Sequence, residues 1–524
     1  MVDTCVNSRF SQAANTELRD TCDVCIIGAG AAGCYLARRL AAGGLDVVIL
    51  EAGGSTGTDS HALGFTPQFL TNYYPGAIEG RAFGLGGTTS RWGGLLIPHS
   101  RHDLQASQDE ALDSTWEHIV DIASSQSDRV LAQLGYSRHA EFDTYPKTQL
   151  NGQSDALRRA GIDVLASVFL PVRRKNLLHL LGRQSQQGRG VRVYTNAVAK
   201  DWQFADSGAE QGTIRNLQAV SRDGAILDVQ ASRFIIAAGT IESARILLEL
   251  QSQVPNGLRL SEDVGKFLGD HLSIGIAEVA EESLQDVTRE YAPRFQGPWM
   301  RSFRFLETNP PADAPRAFTH FVFENESAGF QLAKKVMSAI QAKRIPKVNL
   351  SELVLGVRGV LALAFGRFLL SRLYLPKGTT TRLQLDIEQS RNAENQIVLG
   401  HEHDAYGRRV VQIDWRISQT DMNNICSTAN RIIEQWNRNS GDLPRLIPRE
   451  LRLDSQKPHD AYHPVGTCRM GADDASVVDL NLRVRGLRNL WLVSTGVLPS
   501  AGTANPTMTL LCLAEQLAHE MIPH

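Results

Sequence analysis

The sequence predicts an α/β chain: a Rossmann-like domain interleaved with an α+β domain that contains an antiparallel sheet. Three observations carry this. Residues 22–54, CDVCIIGAGAAGCYLARRLAAGGLDVVILEAGG, read as strand, glycine turn, helix and strand. Residues 233–250, RFIIAAGTIESARILLEL, read as another strand, glycine turn and helix, able to pack beside the first unit in one sheet. Residues 381–398 and 409–415 alternate apolar and polar side chains on either side of the turn-like HEHDAYG, as antiparallel strands do.

In the first unit, Cys25, Ile26 and Ile27 end an apolar run of buried-strand character. Gly28, Gly30 and Gly33 follow in G-x-G-x-x-G spacing, then a helix over 31–41 and a strand over 47–50 that ends in Glu51. These residue types suit a dinucleotide. Gly28 allows a tight turn, Gly30 lets the backbone approach a pyrophosphate, and Gly33 lets helix and strand pack closely. The helix N-terminus offers free N–H groups to the phosphates, and Glu51 offers acceptors to the ribose hydroxyls. The motif alone does not separate FAD from NAD. Cys22 and Cys25 form a CxxC pair, but they straddle the start of the strand and are read as core residues.

At 524 residues the chain exceeds one ordinary domain. Hydrophobic content of 42% and charged content of 21% are those of a globular protein, and a net charge of −2 gives no electrostatic case for nucleic acid. Seven scattered cysteines suggest no disulfide framework. The first 20 residues lack the apolar core of a secretory signal and a twin arginine, so a cytoplasmic location is expected. Residues 84–94, GLGGTTSRWGG, form a loop whose backbone can approach a planar ligand, and 190–200 alternate as one strand. His459 and His463 are four apart, but prolines flank them and no third ligand is evident, so no metal is expected. HEHD (401–404) reads as a solvated turn. Glu388 and Gln389 fall on a strand that could face a substrate.

Taken in order, GAGAAG…LEAGG, GLGGTTSRWGG, AAGTIESARILL, VGKFLGDH, IEQSRNAENQIVLGHEHDAYG and HPVGTCRMG…TANPTMT resemble the glucose–methanol–choline (GMC) flavoprotein oxidoreductases. Roughly 276–380 carries little of the resemblance. The resemblance implies an FAD-binding domain built from 20–105, 190–275 and 455–524, and a substrate domain from 106–189 and 276–454. FAD would lie with its pyrophosphate at Gly28–Gly33, its ribose on Glu51 and its adenine end near Val198. Gly86, Gly87, Thr88, Ser90, Arg91 and Trp92 would pass beside the isoalloxazine, and Gly239, Gly496 and Pro506 complete the cofactor-binding set. Some sugar oxidases of the family link FAD covalently through a His in a T-H-W setting. Here Arg91 occupies that place, so the FAD is expected to be non-covalent.

Alcohol oxidation removes a proton from oxygen and a hydride from carbon. The flavin takes the hydride, and the protein supplies a base and an orienting group. A neutral His463 suits the base, and Asn505 can donate to the same oxygen. Each precedes a proline, which favours extended or turn backbone there. The family uses His–His or His–Asn; this chain has His–Asn, as in the cholesterol- and pyranose-oxidising branches. The expected substrate is a small-molecule alcohol: a sugar, glycoside or cyclic polyol. The alternatives are a sterol or other lipid alcohol, or service as the flavoprotein subunit of an electron-transfer complex. The electron acceptor stays open among oxygen, a quinone and a protein.

One segment is compositionally unusual. Residues 331–377 hold nine Lys/Arg, Lys377 among them, against the single acid Glu352, and 353–375 is apolar with interspersed arginines. Interior arginines argue against a membrane span. Two readings follow: a helical insert over 331–375 packed on the substrate domain with a basic outer face, or a helix that lies on an anionic membrane or meets an acidic partner.

Overall fold

The computed structural model describes residues 17–104, 109–150, 152–182, 190–205, 211–376, 379–438, 442–451 and 457–523. Lys377, residues 1–16, and the expected domain boundaries near 105, 189 and 455 lie outside them.

Strands that are apolar on both faces organise the first layer. Val47–Glu51 is buried throughout, and Val24, Cys25 and Ile26 are fully buried in the strand beside it, the signature of parallel sheet covered on both sides. The sheet runs in the order Val191–Thr195, Val47–Glu51, Glu17–Ile27, Ile226–Ile236, Ile214–Val220 and Val198–Phe204. The first four strands are mutually parallel. Leu490–Leu492 adds a further parallel strand on Ile226–Ile236. The two βα units thus share one sheet. Cys22 and Cys25 are free thiols, Cys25 wholly inside the core. The helix Ala31–Ala42 packs against the helix Thr507–Met521, where Tyr35 Oη and Arg39 Nε both donate to the buried Glu515 Oε2, at 2.8 and 2.6 Å.

Two expectations of continuity are corrected. Residues 190–200 are not one strand. Asn196 adopts a left-handed backbone (φ 58°), and the chain leaves the parallel strand Val191–Thr195 to begin an antiparallel one at Val198. Nor do 381–398 run on. Thr380–Glu388 belongs to a nine-stranded sheet, whereas Gln396–His403 pairs with Arg409–Asp414 in a separate three-stranded one.

The nine-stranded sheet is antiparallel, with a main path of Leu446–Pro448, His271–Val279, Thr380–Glu388, Ala317–Glu324, Trp299–Glu307, Ile162–Phe169 and Leu95–Leu96. Phe305, Phe321, Tyr291 and Trp436 close one face with edge-on and tilted rings 5.2–6.2 Å apart.

Between Ala317–Glu324 and Thr380–Glu388 the chain makes a hairpin of two helices, Ala328–Gln341 and Leu350–Leu369. The insert is helical, and its exposed surface sets large apolar side chains beside the exposed cations Lys334, Lys347 and Arg358. The second helix turns Leu, Val and Phe outward and buries Gly356 and Gly366.

Candidate active site

The glycines define a cradle. Gly28 has φ +106°, and a Cβ there would lie 2.6 Å from the Ala237 carbonyl oxygen. A Cβ on Gly33 would fall 1.9 Å from the Gly28 carbonyl, whereas one on Gly30 meets nothing within 4 Å. Gly28 and Gly33 are therefore required by packing, and Gly30 leaves open space in front of a helix that no side chain caps. Glu51 ties this cradle to its neighbours. Its carboxylate accepts from the N–H groups of Ala29, Gly53 and Gly84, all at 2.8 Å, and burial pushes its pKa up against those three donors. A cavity of about 490 Å³ runs from Val198 past Gly28, Gly30 and Glu51 to Thr88, Arg91 and Trp92, and ends at His463 and Asn505. Gly87, Gly239 and Pro506 also line it.

Besides Gly33, three of the expected cofactor residues stand behind this wall rather than on it. The Gly86 N–H donates to the Ala29 carbonyl, and Asn176 packs where a Gly86 side chain would go. Ser90 donates to the Gly87 carbonyl at 2.8 Å, and Gly496 sits under Thr467 while its carbonyl accepts from the Cys468 N–H. Glu388 and Gln389 do not line the cavity either. Glu388 holds Arg316 and the Ser500 hydroxyl, and Gln389 bridges Trp415 and the Arg416 carbonyl. Not anticipated is a buried charge cluster on the wall. Burial works against ionisation of Glu242, yet Arg245, Arg81 and Arg408 hold its pKa down to about 2.

His463 and Asn505 come together at the far end. The His463 N–H donates to both oxygens of the buried Asp270, at 2.9 and 3.0 Å, and Tyr74 Oη donates to the same carboxyl at 2.6 Å. Burial and the neighbouring Asp460 push Asp270 up to about 8. The Pro464 carbonyl is gripped by Thr240 and Thr495, and Pro506 begins the helix that carries Asn505 at its mouth.

The side chains form a directed chain. His271 Nε2 lies 2.9 Å from the Gly502 carbonyl oxygen, which can only accept, so His271 carries its proton on Nε2. His271 Nδ1 then offers a lone pair to His463 Nδ1, 3.1 Å away, and that nitrogen must hold the His463 proton. His463 Nε2 is left as an acceptor, and Asn505 Nδ2 donates to it at 3.0 Å. The other end agrees. Arg304 has only donors and approaches Asn505 Oδ1 at 3.4 Å, which orients the amide nitrogen toward His463. Burial and then His271 push the His463 pKa down to about 3, and burial lowers His271 as well. His463 is thus neutral at neutral pH, its Nε2 lone pair taken by the Asn505 amide where both residues line the cavity. The sequence reading missed His271 and Arg304. The only signal for His271 was its place in VGKFLGDH, and Arg304 lies in the stretch without recognisable motifs.

Residues 23–259 match the FAD dependent oxidoreductase family, and residues 391–514 match the GMC oxidoreductase family. The chain thus carries an FAD dependent oxidoreductase match in its first half and a GMC oxidoreductase match toward its end. Short stretches of the chain also align with curated relatives. It is 48% identical over 61 residues to an alcohol dehydrogenase [acceptor] of Pseudomonas putida, covering 12% of this chain and 11% of the relative. It is 62% identical over 45 residues to pyridoxine 4-oxidase of Microbacterium luteolum, 9% of each chain. These alignments therefore span only a small part of either relative's length. At the level of fold the likeness runs through the whole chain. The crystal structure of pyridoxine 4-oxidase from Mesorbium loti superposes with a TM-score of 0.56 at 18% identity, covering 96% of this chain and 99% of that one. Formate oxidase from Aspergillus oryzae gives 0.55 at 15% identity, covering 97% and 98%. The cradle fits the family's cofactor: open space at Gly30, an uncapped helix N-terminus for phosphate, and the Glu51 carboxylate on the same wall.

Proposed function

We propose that this chain oxidises an alcohol group with non-covalent FAD, His463 taking the hydroxyl proton and Asn505 orienting the oxygen. The observation that carries this is the directed hydrogen-bond chain, which makes His463 Nε2 the acceptor and Asn505 Nδ2 its donor at the end of the cofactor cavity. An alcohol oxygen that displaces this direct Asn505–His463 contact donates its proton to Nε2 and accepts from Nδ2. FAD, when bound, supplies the acceptor for the hydride that leaves the carbon, so the C–H and O–H bonds break and a carbonyl forms. A base held near 3 is a weak acceptor on its own. It gains the proton as the hydride departs, and its Nδ1–H then donates to His271 with a full positive charge behind it. Arg91, in the cavity wall, cannot form the link that a His makes to flavin, which supports a dissociable cofactor.

For substrate, the His–Asn pair and the Gly/Thr/Trp loop favour a sugar, glycoside or cyclic polyol. The exposed apolar face of the Leu350–Leu369 helix favours a second reading, a sterol or other lipid alcohol. Anaerobic flavin bleaching against a panel of sugars, polyols, sterols, choline and pyridoxine tests both readings. Acid should release the flavin from the protein, and His463→Ala should keep FAD while slowing its reduction by roughly 10²–10⁴-fold. Asn505→Ala should slow it by less. Wild-type reduction in FAD-loaded His463→Ala removes His463 from the mechanism.

A further inference from the structure

Ala317–Glu324 and Thr380–Glu388 are antiparallel neighbours whose ends meet at Glu324 and Thr380. A turn of a few residues would join them. The chain instead makes the helical hairpin, and its second helix is built inside out. Gly356 and Gly366 are its buried residues, and Gly359 meets the first helix so closely that a Cβ on Gly329 would lie 2.4 Å from the Gly359 Cα. The large side chains point away from the protein. Leu350, Val354, Val357, Leu361, Phe365 and Phe368 recur at intervals of three and four and form one stripe along the helix. Their exposure runs from 49% at Val357 to 77% at Leu350 and Phe368, and Ile345 in the turn between the helices reaches 89%. Among the described residues, most of the exposed large apolar side chains lie between Met337 and Tyr374. Such a concentration marks a docking surface.

The charge on its rim selects the occupant. Lys334, Lys347 and Arg358 are exposed and make no ion pair among the described residues. The segment's one acid, Glu352, is bound to Lys335 at 2.8 Å and caps the helix with Asn349. Among the described residues no helix is long and apolar enough to cross a membrane. An apolar stripe edged by cations on a helix that does not span is complementary to the surface of an acidic bilayer. We propose that this hairpin seats the protein on an anionic lipid surface, its stripe among the upper acyl carbons and Lys334, Lys347 and Arg358 against the headgroups. The hairpin is also tied to the cavity wall. Gln341, in the last turn of the first helix, donates to the carbonyls of Thr89 and Trp92 at 3.1 and 2.8 Å, so docking occurs beside the loop that lines the cofactor cavity.

The test is co-sedimentation of the full-length, FAD-loaded protein with vesicles of phosphatidylcholine alone or with phosphatidylserine added, at low and high salt. Binding to the acidic vesicles is expected, about a hundredfold tighter than to neutral ones for three cations at the surface, and reversed by salt. A Leu361→Ser/Phe365→Ser/Phe368→Ser variant and a Lys334→Glu/Lys347→Glu/Arg358→Glu variant should each lose binding while keeping flavin and the thermal midpoint. Three results would overturn the proposal: no binding to acidic vesicles, equal binding to neutral ones, or a wild-type dimer that does not bind vesicles and that the Ser variant makes monomeric. The last assigns the face to a second copy of the chain.

Discussion

Replacing His271 by Leu tests the directed chain at its least obvious member. His271 is fully buried and contributes only its Nδ1 lone pair to His463, at 3.1 Å, while its own proton is committed to the Gly502 carbonyl. Without that acceptor, His463 loses its reason to carry the proton on Nδ1. A proton on Nε2 instead would face the Asn505 amide N–H donor-to-donor, with Asn505 held in place by Arg304. Leaving one buried donor unpaired costs about 1–3 kcal/mol, which corresponds to a fall in the rate of flavin reduction of roughly five- to 150-fold. Anaerobic stopped-flow reduction of FAD-loaded enzyme measures it. The pH profile separates this role from mere packing. With the His463 pKa near 3, the wild-type rate should be flat between about pH 5 and 8. Removing His271 removes one of the causes that depress that pKa, so the acid limb should move up toward the ordinary value. His271→Gln, which restores an acceptor, should recover part of the rate. A folded, FAD-loaded His271→Leu with the wild-type rate and a flat profile would refute the argument.

Two further outcomes follow from the same geometry. Gly33→Ala should lose both flavin and thermal stability, because its methyl meets the Gly28 carbonyl at 1.9 Å, whereas Gly30→Ala should keep the apoprotein's thermal midpoint and lower only the flavin-to-protein ratio. In acid, thermal stability should fall as pH drops below about 6.5, because burial holds His102, His179, His271, His320 and His463 below the ordinary histidine value and the unfolded chain then binds the protons that the folded one refuses. Asp270 works in the opposite sense: its pKa is raised to about 8, so its contribution is lost as pH rises toward that value. Thermal midpoints measured between pH 5 and 9 check both limbs.

Local pattern made the cofactor cradle legible. The G-x-G-x-x-G spacing, the flanking apolar strands and Glu51 are all short-range, and the 1.9 Å approach of Gly33 to Gly28 shows why no other residue serves there. The meeting of His463 with Asn505 came from resemblance, since nothing in either segment alone states the distance between them. His271 and Arg304 were not legible. A buried polar contact depends on the register of strands that are remote in sequence, such as Arg304 opposite Leu165, and no periodicity encodes that register. The sequence left the hairpin open between two readings for a different reason. The stripe from Leu350 to Phe368 was visible as a pattern, but an amphipathic pattern does not say which face turns inward. The usual expectation sends the large side chains to the core. Here glycines take the packing and the leucines and phenylalanines are left outside.

The position of Ile226–Ile236 in the parallel sheet sets a timetable for biosynthesis. It is the partner of the opening strand Glu17–Ile27 and later receives Leu490–Leu492. At ribosomal speeds of roughly 5–20 residues per second, the opening strand waits on the order of ten to forty seconds before its neighbour emerges. Its unpaired edge is a hazard for that interval, and the charges of Glu17, Arg19, Asp20 and Asp23 along it are of the kind that discourage wrong pairing. The last strand, and the helix that brings Glu515 to Tyr35 and Arg39, emerge only after a second wait of similar length. A nascent chain therefore carries the phosphate cradle long before it carries the residues that close it. Closure of the flavin site waits until the residues through Glu515 have emerged.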